Sequence, residues 1–258
     1  MRQIKASSTL YYVVFIAFIG LLILADSSRI RERSSDQNLR VAIFDPLAEK
    51  EGGQGFTDSC ADLFESAGCS VVVYSGSEVT VSLLKKIPQG LDVLILRVHS
   101  GVFKDMVWLF TAEEYDSTRY VIEQLSGEIH IARTTPNSKL LFAVGSKFVH
   151  NYMEGRFQDT LVVMMGCEGL HFSDLGQAFL DSGASAYVSW DTLVSLSHSD
   201  AATMGLLEAM VIDRMSLEEA VEHCQSTVGT DKYYDSQFDY IPKGSGVFRL
   251  SVVPSVPD

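Results

Sequence analysis

The chain is poor in the features that announce a chemistry at once. Its 258 residues include only four cysteines, Cys60, Cys69, Cys167 and Cys224, with no CxxC pair. That excludes a disulfide-stapled scaffold and a zinc ribbon. Basic charge is also short: 20 lysines and arginines stand against 33 carboxylates, a net charge of −13. With no basic face to displace counterions from phosphates, nucleic acid is not an expected partner. The stretch GGQG at 52–55 lacks the Lys-Ser/Thr that a phosphate loop needs, so residues 45–55 read as a surface loop. Glu113, Glu114 and Asp116 read as a solvated acidic turn over 112–118 rather than a calcium site. Internal repeats are absent, and neither a metal nor a cofactor is expected.

What is present begins at the N-terminus. Residues 6–25 carry no charged side chain, and 10–24 are strongly apolar. About twenty such residues span a bilayer as one helix, and Tyr11 and Tyr12 suit its interface. The competing reading is a cleaved signal peptide, with Arg2 and Lys5 ahead of the apolar run. Residues 1–25 are therefore expected to be a transmembrane anchor or a signal peptide. Basic residues flank the run on both sides, so the positive-inside rule does not decide the orientation, and the domain is expected outside the cytoplasm. The polar residues 26–38 read as a linker, 39–252 as the folded domain, and 253–258 as a proline-bearing tail.

Residues 160–190 hold the organising pattern. An apolar run at 161–165 has the look of a buried strand and stops at Gly166-Cys167-Glu168-Gly169. A helix pattern follows, with Ser173 at its start, Leu175, Ala178 and Phe179 on one face, and Gly183 at its end. Residues 186–190 read as the next strand. Strand, turn, helix and strand in this order are the repeat of a parallel α/β sheet. In open parallel sheets, ligands bind beyond the carboxyl ends of the strands, and Cys167 lies at such an end. A second apolar run, LDVLILRV at 91–98, ends at His99-Ser100-Gly101. If the two strands are neighbours, an imidazole and a thiol meet over one sheet edge, the pairing that nucleophilic catalysis by cysteine needs.

The remaining elements fit around these two. Strands are expected at 40–44, 70–74, 106–111, 139–145 and 246–252. Helices are expected from residue 57 to Gly68, at 79–87 and at 195–213, and again after Ser216, whose spacing to Glu219 forms a capping box. Residues 119–135 give no clear pattern, and 147–153 read as helical or extended. Cys60, Cys69 and Cys224 fall on packing positions.

An apolar strand ending in His-Ser-Gly, followed by LVVMMGCEGL, LGQAFLDSGA, HSDAATMGLLEAM and SLEEAV, resembles the caspase-like cysteine peptidases. That group holds caspases, gingipains, legumains, clostripain, separases and CHAT domains, and the chain is most similar to the gingipain-type and CHAT members. The resemblance covers residues 40–229. It implies a three-layer sandwich around a mostly parallel sheet, acting as a cysteine endopeptidase on polypeptide substrates without a cofactor. It further implies Cys167 as nucleophile, His99 as general base and acid, and backbone N–H groups near Gly101 and at Cys167 as the oxyanion hole. Two departures stand out. Ser100 intervenes between the histidine and the glycine, and Gly166 replaces the usual alanine before the cysteine. Met165 stands where some arginine-specific relatives carry an aspartate, so no basic-residue specificity is implied. Asp191 and Trp190 either line the primary substrate pocket or serve structure.

Two rival readings remain at this point. A catalytically idle module of the same fold, displayed at a membrane, is favoured by the Ser100 insertion. A class-I amidotransferase-like hydrolase would instead pair Cys167 with a downstream histidine and acid, for which His198 and Asp200 are the candidates. His171, four residues after Cys167, is a further candidate partner.

Overall fold

The computed structural model describes residues 38–48 and 54–252. The anchor or signal segment at 1–25, most of the linker at 26–38 and the tail at 253–258 lie outside the described residues. Among the described residues no helix is long and apolar enough to cross a membrane.

The chain opens with β1 (Arg40–Asp45), followed by α1 (Gln54–Ser66), β2 (Ser70–Ser75), a 3-10 turn, the single-turn α2 (Val81–Leu84) and β3 (Val93–Leu96). Four strands and two helices then intervene: β4 (Ser100–Phe103), β5 (Met106–Glu114), α3 (Val121–Ser126), β6 (Ile129–Ala132), β7 (Leu141–Val144) and α4 (Ser146–Met153). The chain continues through β8 (Thr160–Met164), α5 (Asp174–Asp181), β9 (Ala184–Trp190), α6 (Leu196–Val211), α7 (Leu217–Thr227) and β10 (Phe238–Ile241).

Six strands form the main sheet in the order β10-β9-β8-β3-β1-β2. All neighbours run parallel except β10, which pairs antiparallel with β9. The innermost strands, β3 and β8, are buried at every position. Unbroken apolar sequence is what a strand covered on both faces requires, and alternate residues feed two separate cores. Val41, Ile43, Val93, Ile95, Leu161 and Val163 meet α1, α6 and α7. Ala42, Phe44, Leu94, Leu96, Val162 and Met164 meet α2, α4, α5 and part of a second sheet. The result is an α/β fold with helices on both faces of a mostly parallel sheet, as expected from the repeat around Cys167.

The second sheet is antiparallel, with order β4-β5-β7-β6. Its β4–β5 hairpin turns at Lys104 and Asp105, both with positive φ. The structure corrects two expectations. The acidic turn expected at 112–118 begins three residues late, because β5 runs on to Glu114. Glu113 is buried within it and partnered: it accepts from the Val81 N–H and the Tyr120 hydroxyl and pairs with Arg119. The strand expected at 246–252 is instead a 3-10 turn (Lys243–Val247) followed by chain without a ladder partner, and the closing strand is β10.

Candidate functional site

β3 and β8 pair in register, with Leu96 opposite Met164. The register carries on past the strands, since the Met165 N–H donates to the Leu96 carbonyl at 2.9 Å. His99 and Cys167 each follow three residues after the Leu96–Met164 pair. Both residues are half-buried, and both line one cleft of about 470 Å³ over this end of the sheet. His99 also borders a smaller hollow of about 160 Å³, lined as well by Pro46, Leu47 and Thr111.

The turn that presents Cys167 is tightly built. Gly166 and Gly169 have no room for side chains: a Cβ on Gly166 would come 2.1 Å from Ser100 Oγ, and one on Gly169 would come 2.0 Å from Ser189 Oγ. Glu168 between them adopts a left-handed conformation (φ 58°). Such backbone costs a non-glycine residue about 1–3 kcal/mol and is concentrated at functional sites. The turn is held by hydrogen bonds from the Glu168 N–H to the Thr192 carbonyl (2.9 Å) and from the Leu170 N–H to the Trp190 carbonyl (2.8 Å). The Ser100 hydroxyl donates to the Cys167 carbonyl.

Cys167 Sγ lies 3.6 Å from the Val194 carbonyl, on the loop between β9 and α6. Burial pushes the thiol pKa up. Backbone hydrogen bonding at Val194 and the residue's own N–H oppose this, while the negative charges of Glu168 and Asp231 add to it. The resting thiol is therefore protonated at neutral pH. The other cysteines are packing residues: burial raises Cys60 to about 12, and Cys69 and Cys224 to about 11.

Gly101, expected to lend its N–H to an oxyanion, sits in the β4–β5 ladder opposite Trp108. Two pairs earlier, the Phe110 N–H donates to the His99 carbonyl at 2.9 Å. Hydrogen-bonded and non-bonded pairs alternate along an antiparallel ladder. The Gly101 N–H is accordingly directed at β5, and the Ser100 N–H points to the open edge. The Ser100 insertion thus moves the outward-facing donor back by one residue.

Trp190 is 1% exposed and faces the core, with its indole N–H donating to Ser199 Oγ at 2.9 Å. Asp191 exchanges hydrogen bonds with the backbone of Gln237, tying β9 to the start of β10. Neither lines the cleft; Leu193, from the loop they begin, does. His171 is exposed and packs on Phe172. His198 packs on Trp190, and Asp200 is turned to Arg97, with Nε–Oδ1 at 2.8 Å and Nη2–Oδ2 at 3.0 Å. The structure thus brings His99 together with Cys167 and leaves His171, His198 and Asp200 outside the cleft.

The rest of the lining was not legible in the sequence. Phe103, Trp108 and Phe110 come from the β4–β5 hairpin, and His130, Ile131 and Arg133 from β6 and the turn after it. Glu168 alone carried a signal, its place directly after the thiol. Among the described residues, no group of three or more His, Cys, Asp or Glu side chains is placed to hold a metal ion.

No protein-family model matches the chain, and no curated protein sequence matches it.

Proposed function

We propose that this chain is a cysteine peptidase with a caspase-like sandwich, hydrolysing peptide bonds through a Cys167–His99 dyad. The observation that carries the reading is the pairing of two strand ends: adjacent parallel strands in register deliver an imidazole and a thiol to one cleft. The strand order, with helices on both faces and a single antiparallel edge strand beyond the thiol strand, supports it.

In this mechanism Sγ attacks the scissile carbonyl while His99 takes the thiol proton. His99 returns that proton to the departing amine, leaving a thioester on Cys167. Water, deprotonated by His99, then releases the acid and restores the thiol. Charge developing on the carbonyl oxygen meets the N–H groups of Cys167 and Ser100; one such donor is typically worth about 2.7–4 kcal/mol of barrier. Because burial keeps the resting thiol protonated, ionisation belongs to the complex, where His99 becomes the neighbouring cation. Residues 1–25 serve as a membrane anchor in this reading, with the peptidase domain outside the cytoplasm.

The test is turnover of an unfolded protein substrate by Cys167→Ala and His99→Ala. Cys167→Ala should melt like the parent and lose hydrolysis entirely, and His99→Ala should lose about 10²–10⁴-fold. Undiminished turnover by Cys167→Ala sinks the assignment.

A second reading, an idle binding module, is favoured by one observation: the thiol is engaged by the Val194 carbonyl and raised in pKa. A peptidyl electrophile separates the two. An enzyme is labelled at Cys167 well ahead of Cys69, the other half-buried cysteine, whereas an idle module labels the two alike.

A further inference from the structure

Phe103, Ile131 and Leu193 come from three separate parts of the chain: the end of β4, the edge strand β6 and the β9–α6 loop. Each is more than two-fifths exposed (44%, 42% and 42%), and all three line the cleft that holds Cys167. Large apolar side chains from distant elements that converge on one concavity and stay open to water mark a surface built to be covered. Charge on the same lining gives no competing signal. Among the described residues, the lining has two of fixed charge, Glu168 and Arg133, opposite in sign, with Arg133 exposed and bonded to the Pro136 carbonyl. Glu168, directly after Cys167, already bears on the thiol as a negative charge, so an acidic substrate side chain beside the thiol would be repelled. A lone exposed guanidinium does not offset that, and one carboxylate amid an aromatic and aliphatic lining is not a pocket for a basic side chain.

We infer that the cleft selects polypeptides with a large apolar side chain, aliphatic or aromatic, adjoining the scissile bond, and that Phe103, Ile131 and Leu193 are the residues that grip it. This rests on the peptidase reading above and adds the substrate class. Its volume of about 470 Å³ admits one such side chain together with the backbone on either side of the bond. Both open edges of the small sheet, β4 and β6, border the same space, so an extended backbone has ladder partners there while its side chain meets the apolar trio.

The experiment is digestion of a diverse peptide library by the full-length protein in detergent micelles. Cleavage sites are mapped by mass spectrometry beside Cys167→Ala as the blank. The expected result is enrichment of Leu, Ile, Met, Phe, Tyr or Trp at one position flanking the cut. The preference over alanine should be about ten- to two-hundredfold, the discrimination an apolar pocket gives. Leu193→Asp and Phe103→Ser, both exposed positions, should melt like the parent and flatten that enrichment. Enrichment of Asp, Asn, Arg or Lys, or no enrichment at all, overturns the inference and leaves the peptidase reading standing. Enrichment that survives both substitutions unchanged overturns the assignment of the gripping residues. The absence of any Cys167-dependent cut overturns the peptidase reading, and the substrate class with it.

Discussion

The Ser100 hydroxyl occupies the place where a side chain on residue 166 would begin, 2.1 Å from the position of a Cβ there. The two departures from the caspase-like pattern, a serine inserted after the histidine and a glycine before the cysteine, are therefore one feature. The hydroxyl needs the space, only glycine leaves it, and in return the hydroxyl donates to the Cys167 carbonyl and fixes the turn that carries Cys167.

This coupling makes a double-mutant prediction. Gly166→Ala forces a methyl against Ser100 Oγ and to within 2.9 Å of the Val98 carbonyl, and overpacking of this kind costs about 1–3 kcal/mol. Ser100→Gly removes the nearer obstacle and leaves the carbonyl. Denaturant unfolding of the two single variants and the double variant should give a coupling energy that favours the pair, with Ser100→Gly recovering part of the loss from Gly166→Ala. Strictly additive effects would show that the two sites are independent.

Arg97, two residues before His99, is fully buried between two carboxylates. Its Nη1 lies 3.1 Å from Asp45 Oδ1 at the end of β1, and its other side pairs with Asp200 on the first turns of α6. Thr57 donates to the far oxygen of Asp45 at 2.6 Å. The triad joins the ends of two strands to the helix that follows the Val194 loop, beneath the site. Removing the cation leaves two like charges facing each other in the core, which should cost about 3–5 kcal/mol. Arg97→Met is expected to lose more stability than Asp200→Asn, because Asp200 is the partner with access to water. Thermal and denaturant unfolding of the two variants measures the order, and a stable Arg97→Met would mean that the triad is not what holds these ends together.

The centre of the fold was legible because β3 and β8 are covered on both faces, and a short continuous apolar run bounded by polar turns is the pattern such strands carry. The capping box at Ser216 and Glu219 was equally direct, since both hydrogen bonds are local. The antiparallel sheet was obscure for the opposite reason. Glu113 looks solvated in sequence, and its partners Val81 and Arg119 are supplied by the fold. The four residues of β10 alternate buried and half-buried positions around Asp239 and gain strand character only from pairing with β9. Trp190 was as apt for a pocket as for a core, and the choice depends on Ser199, which receives its N–H. The placing of His99 and Cys167 on one cleft could therefore be inferred from two strand ends, whereas the apolar trio of the cleft could not, because nothing in one chain segment announces a residue from another.

The loop bearing Leu193 and Val194 is anchored by a titrating group, which makes its stability pH-dependent. Asp231 is buried. Burial pushes its pKa up, but the Ser195 hydroxyl and N–H and the N–H groups of Tyr233 and Tyr234 outweigh it, bringing the value down to about 2. The folded pKa lies below the ordinary carboxylate value near 4, so ionised Asp231 stabilises the fold at every pH above that value. The contribution is lost as pH falls from about 4 towards 2. Asp231→Ala leaves the Ser195 and Tyr233 donors without their acceptor and should cost on the order of 2 kcal/mol at neutral pH. The stability gap between parent and variant should stay constant from pH 5 to 8 and narrow below about pH 4. Chemical unfolding of both proteins across that range reads it directly. A gap that widens on acidification would reverse the sign and remove Asp231 as the anchor of the loop.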